Sequence, residues 1–198
     1  IPLWEQLEDV AVYPENRRYA MFNLMRSHYQ FEKFEDAQGK AKAILELKNI
    51  EAKVKWDAYE ILAQTSIVLG DSIMANSAFK VLEKAPIDSL AAEAYYFRAH
   101  QNHKNKDFKK SNEVIALLSK KFSSQPYWAA KSLLLMAKNF YAVNDAFQAT
   151  YILESLIENY KQFPEISMQG NTLLVQIKQK QAEQNASLSQ LENKNEVQ

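Results

Sequence analysis

The chain of 198 residues has no cysteine, only three glycines and five prolines, and no net charge. Each shortage removes a class of protein. Without cysteine there can be no disulfide and no thiolate metal site, which suits a reducing cytoplasm and equally a periplasmic protein that needs no cross-links. Three glycines leave almost nothing from which to build a phosphate-cradling loop, and no G-x-x-x-x-G-K-[ST], G-x-G-x-x-G, H-E-x-x-H or G-x-S-x-G occurs. Twenty-four basic residues balance twenty-four acidic ones, so the chain lacks the field that draws a protein to a phosphate backbone, and nucleic acid is not expected as a partner. The longest apolar runs, such as Leu133 to Ala137, fall far short of the roughly 20 residues of a membrane span, so these residues are not expected to insert into a bilayer.

What is present is helix-forming sequence. Apolar residues make up 47% of the chain and aromatics 12%, enough for a core. Alanine, leucine, glutamate, lysine and glutamine are abundant, and no stretch shows the strict alternation of a half-buried strand. Four segments share one pattern, "NLMRSHYQFEKFEDAQGKAKAILE" from Asn23, "ILAQTSIVLGDSIMANSAFKVLEK" from Ile61, "FRAHQNHKNKDFKKSNEVIALLSK" from Phe97 and "AKNFYAVNDAFQATYILESL" from Ala137. Each contains two small or slim residues twelve apart: Met25 and Ala37, Ala63 and Ala75, Ala99 and Ser111, Ala137 and Ala149. Between repeats the steps are 38, 36 and 38 residues, a period that signals stacked pairs of antiparallel helices. The small residues mark the closest approach of two helices, where a bulkier side chain would push the axes apart. Asp71, Asp107 and Asp145 share the position after the turn and are expected to cap the second helix of their pairs. The first repeat has Lys33 there and Met25 at its small position, so its hairpin is expected to be looser or differently packed.

The order of apolar, small and aromatic residues, a turn, then alanine with apolar residues four and seven further on (Ala75, Phe79, Leu82; Ala149, Leu153, Leu156) resembles the tetratricopeptide repeat. The resemblance runs from about Tyr19 to Tyr160. The repeats are longer than the standard unit, and "LLSKKF", "LIENYKQFP" and the segment from Tyr127 to Tyr160 are similar to the closing repeats of large bacterial envelope proteins, among them outer-membrane assembly lipoproteins and Tol-Pal-associated proteins. The resemblance implies an all-α, right-handed superhelical solenoid of antiparallel helix pairs, with about four repeats and a C-terminal capping helix. The array is expected over residues 1–164, with a partial repeat at 1–14 and full repeats near 18–50, 56–86, 91–123 and 128–160. The start at Ile1 and the helical reading of "PLWEQLEDVAVYP", stopped by Pro14, lead us to expect a piece of a longer array. Residues 165–198 are expected to form a capping helix with Leu173, Leu174 and Ile177 as its apolar stripe, then a polar tail that is either a solvated helix extension or disordered.

The resemblance also implies a function. In such solenoids the first helix of each pair lines a groove that holds a partner peptide or helix. The matching positions are Phe22, Arg26 and Tyr29, then Glu60 and Gln64, then Tyr96, His100, His103 and Lys104, and finally Lys138 and Tyr141. Aromatic residues beside Arg, Lys and His suit a protein-binding surface. The chaperone-tail clamp of this family needs asparagine one residue after the small position, and Arg26, Gln64, His100 and Lys138 stand there instead. No set of nucleophile, base or paired acids suggests an enzyme, and no cofactor is expected. His100 and His103 share a helix face and could begin a metal site, but a third ligand is missing and both are read as polar residues facing the groove. "KNKDFKK" reads as a solvated turn. Trp56 and Trp128 are expected just before two first helices, as staples. The expected function is a non-catalytic interaction scaffold, with a cell-envelope location favoured over the cytoplasm. A structural spacer or oligomerisation array, and a regulatory module of a longer protein that carries an activity elsewhere, are the alternatives.

Overall fold

The computed structural model describes the backbone of residues 1–195 and the side chains of residues 1–187. Among the described residues there are ten helices and no strand: α1 (Pro2–Val10), α2 (Pro14–Gln30), α3 (Phe34–Leu45), α4 (Ala52–Val68), α5 (Ser72–Leu82), α6 (Asp88–Lys104), α7 (Phe108–Lys121), α8 (Pro126–Ala142), α9 (Ala146–Asn159) and α10 (Pro164–Asn195). Pro2, Pro14, Pro126 and Pro164 each open a helix, where the missing amide hydrogen would have had no intrahelical partner. Pro14 therefore starts α2, four residues ahead of the expected repeat boundary. The polar tail continues α10 as helix to Asn195, with exposed side chains from Lys178 to Ser187; residues 196–198 of that expected tail lie outside the described residues.

Backbone contacts divide the chain into two compact units, Ile1–Ala94 and Tyr95–Gln198. In the first unit α2 packs on α3, α3 on α4 and α4 on α5, and α2 also reaches α4. In the second, α7 packs on α8, α8 on α9 and α9 on α10, and α8 also reaches α10. Helices two apart in the chain thus touch within each unit. Every one of the eight small or slim positions is buried, from Met25 and Ala37 through to Ala137 and Ala149. Met25 fits without exposure, so the first hairpin is closed around a methionine. The second unit's core joins Ala130, Leu134 and Ala137 of α8 to Ile152, Leu153 and Leu156 of α9 and to Ile166, Leu174 and Ile177 of α10. Leu174 and Ile177 of the expected apolar stripe are buried in this core, and Leu173 is partly buried against it. Gly170 lets α10 lie close to α9, since a Cβ there would stand 3.0 Å from Leu156 Cδ2.

The four hairpin turns are one structure written in different residues. Glu32, Gly70, Lys106 and Asn144 all take positive φ, at 57, 75, 61 and 63°. The next amide bonds to a carbonyl five residues back in every case: Lys33 to His28 (2.8 Å), Asp71 to Ser66, Asp107 to Asn102 and Asp145 to Phe140 (each 2.9 Å). This is the left-handed helix ending that satisfies the last carbonyls of the first helix. Asp71, Asp107 and Asp145 then cap the second helix, accepting from the amides of Met74 (2.9 Å), Lys110 (3.3 Å) and Gln148 (3.0 Å). Lys33 has nearly the same backbone angles as Asp71 but no side-chain cap.

Candidate partner-binding site

In the second unit, Tyr96, His100 and His103 follow one another at intervals of four and three residues along α6 and so share a face. They line an open cleft of about 260 Å³ with Tyr127, Lys131 and Lys138 of α8 and Glu165 and Gln169 of α10, over a floor of Leu134, Leu135 and Ile166. His100 stacks between Tyr96 and His103, at 6.1 and 6.2 Å between ring centroids and 21° between planes in both cases. Trp128 lies 5.5 Å from Tyr96 and 5.1 Å from Tyr127. The Lys131 ammonium stands 4.8 Å from the Tyr96 ring, 4.9 Å from Trp128 and 5.4 Å from Tyr127, where the electron-rich faces attract it.

The electrostatics follow from that arrangement. Burial, and then the positive charges of Lys104, His103, Lys138 and Lys131, hold the His100 imidazole below its usual pKa, so the ring is neutral near pH 7. Burial pushes the Tyr96 phenol up, with a smaller contribution from Tyr127.

Behind the cleft His103 is anchored. Its Nδ1 lies 2.6 Å from Asn139 Oδ1, and because a carbonyl oxygen can only accept, Nδ1 carries the hydrogen. The wholly buried Asn139 donates to Ser111 Oγ (2.8 Å) and Asn112 Oδ1 (2.6 Å), and Ser111 donates to the Ala99 carbonyl (2.8 Å). His103 is therefore both a cleft residue and part of the seam joining α6, α7 and α8. Among the described residues no group of three or more candidate ligands could hold a metal ion.

The first unit carries a different set. On α2 the Arg26 guanidinium lies 4.3 Å above Phe22 and pairs with Asp57 of α4 at 2.5 Å. Gln64 of α4 donates to the Glu93 carboxylate at the start of α6. Burial, and then the charge of Asp57, raise the Glu60 carboxyl above its usual range, with Arg26 pulling the other way. Tyr29 packs edge-on against Phe34 at 6.2 Å, and its phenol is raised by burial and then by Glu60 and Glu93. The corresponding helix faces thus hold carboxylates in the first unit and lysines in the second.

The residues named from sequence divide accordingly. Tyr96, His100, His103 and Lys138 meet in one cleft; Phe22, Arg26, Tyr29, Glu60 and Gln64 lie along α2 and α4 of the first unit. Lys104 is exposed at the end of α6 and acts on His100 by its charge. Tyr141 packs against the α8–α10 core, with Lys180 5.6 Å from its ring. Trp56 and Trp128 sit inside α4 and α8 rather than before them, and Trp128 packs against the rings of Tyr96 and Tyr127, which line the cleft. Sequence reasoning passed over Asp57, Glu93, Lys131 and Glu165. The first three continue named stripes, Asp57 three before Glu60 and Glu93 three before Tyr96, one helical turn each, and Lys131 seven before Lys138, two turns, so the spacing was there to follow.

The class these observations define is an all-helical protein of consecutively packed hairpins. Compared with known proteins, the chain matches no family model and no curated protein.

Proposed function

We propose that the chain is a tetratricopeptide-type solenoid with right-handed superhelical stacking, acting as a non-catalytic scaffold within a larger bacterial envelope protein. A peptide or helix of a partner protein is held against the first helices of its hairpins. The observation that carries this reading is the cleft of the second unit, where residues three and four apart on α6 meet residues of α8 and α10 around one opening. Its lining of Tyr96 and Tyr127 beside lysines, with Trp128 packed against both rings, is the chemistry from which binding hot spots are built. The repeat length, the buried small positions and the fourfold turn support the solenoid.

The test uses the chain as bait in extracts of its native cell, followed by affinity measurements on the captured partner. Replacing Tyr96, His100 and Lys138 with alanine should weaken binding by about 2 kcal/mol or more while leaving the helical circular dichroism signal unchanged. Alanine at Lys80 and Lys120, exposed on α5 and α7, serves as the control. Loss of binding in the control and not in the cleft variant would move the partner to the opposite face and end this assignment.

A further inference from the structure

We propose that the cleft between α6, α8 and α10 takes a carboxylate-bearing segment of a protein partner, and that His100 gains a proton as the carboxylate arrives, so that capture tightens as the pH falls. This rests on the partner-binding reading above and specifies the chemistry of its ligand.

Size comes first. At about 260 Å³ the cleft is smaller than the roughly 300–1,000 Å³ typical of sites for whole cofactors and drug-sized ligands. It is open to solvent, so it suits one or two side chains of a chain passing over it.

Charge comes next. Lys131 and Lys138 line the cleft from α8, and Lys104 acts on the same imidazole from the end of α6. The acid among the lining residues is Glu165, in the first turn of α10. Cations on two helices facing one carboxylate on a third leave an excess of positive charge that an incoming anion neutralises, while the Tyr96 and Tyr127 rings in the lining suit an apolar neighbour of that anion.

His100 is the group that responds. It is held by stacking between Tyr96 and His103, whereas His103 is committed through Nδ1 to Asn139. The titratable groups that share the cleft with His100 or act on it are Tyr96, His103 and Lys104 from α6, Tyr127, Lys131 and Lys138 from α8, and Glu165 from α10. The cations and burial keep the ring neutral, and a carboxylate placed between it and Lys138 reverses the local field and accepts from its N–H. The sign follows: the proton affinity of His100 is lowest in the free protein and higher in the complex, so binding takes up a proton in the window between the two pKa values. Below that window the ring is protonated in both states, and above it in neither.

The experiment is calorimetric titration of the whole chain with a blocked peptide of four glutamates flanking one tyrosine, at pH 6 and pH 8, and at pH 7 in two buffers of different ionisation enthalpy. The expected result is a dissociation constant about three- to tenfold lower at pH 6, because one unit of pKa shift corresponds to tenfold, with net proton uptake at pH 7. His100→Gln should abolish both the pH dependence and the proton uptake, leaving one affinity, lower than or equal to that of the native chain, at both pH values. Lys138→Gln should weaken binding at both pH values, and Glu165→Gln should strengthen it; circular dichroism verifies that each variant is folded. Equal wild-type affinity at the two pH values, proton uptake that survives in His100→Gln, or equal binding of the same peptide with glutamine for glutamate would each overturn the proposal. A partner whose capture depends on Tyr96 and Lys138 but that is not displaced by the glutamate peptide overturns the carboxylate and leaves the partner-binding site standing. Capture indifferent to Tyr96 and Lys138 removes the site itself.

Discussion

Asn139 shows at the scale of one residue what the repeat pattern does not encode. Its side chain accepts from His103 and donates to Ser111 and Asn112, and it has no exposure to solvent. Replacing it with leucine leaves a histidine N–H, a hydroxyl and an amide oxygen short of partners in an interior site. Such a loss costs about 1–3 kcal/mol, and we expect that fall in a urea titration. Ala137→Leu and Ala149→Leu should fall by a similar amount, about 1–3 kcal/mol, for the opposite reason: each overfills a contact that is already closed. Leucine at Ala186, exposed on α10, should leave the midpoint within about 0.5 kcal/mol. Equal midpoints for all four variants would show that neither the polar seam nor the small residues hold the helices together.

Among the elements, the turns separate what a sequence declares from what it hides. Asp71, Asp107 and Asp145 were legible as caps because a carboxylate at the start of a helix has one obvious use. The left-handed residue before them was not. It is glycine only at Gly70, and Glu32, Lys106 and Asn144 adopt the same conformation without the residue type that usually advertises it. Helix number and order were legible from the apolar stripes, and so was the burial of Leu174 and Ile177 on α10. Boundaries were less so: Pro14 was read as a stop and is a start, and the tryptophans fell inside helices because an aromatic in a first turn looks much like one in a loop. The site was legible as far as positions were counted from the small residues. Glu165 escaped because it belongs to α10, where no site residue was named, and shares the cleft with Tyr96 and His100 only once the helices are packed. Lys33 supplies the prediction at this scale. Its backbone lies near φ −82° and ψ 71°, beside φ −79° and ψ 80° at Asp71, so Lys33→Asp should acquire the missing cap and raise stability by about 1 kcal/mol in the same titration. Unchanged or lowered stability would mean that the first turn cannot use a cap.

Over the whole chain the balance of charge conceals a division. The first unit holds 11 basic and 15 acidic residues and the second 13 basic and 9 acidic, so a net charge of zero is the sum of an acidic part and a basic one. The carboxylates around Glu60 and the lysines around His100 are local expressions of that difference. The seam at Asn139 also has a consequence in time. Because one amide bonds into α7 and to the end of α6 from its place on α8, the hairpin of α6 and α7 cannot open without stripping polar partners from the next. Openings of lower free energy are governed by such links. In deuterium exchange the slowest amides of α7 and α8 should therefore exchange at a common rate in the native chain and at two separate rates in Asn139→Leu, so that one side chain decides whether neighbouring repeats breathe together or one at a time.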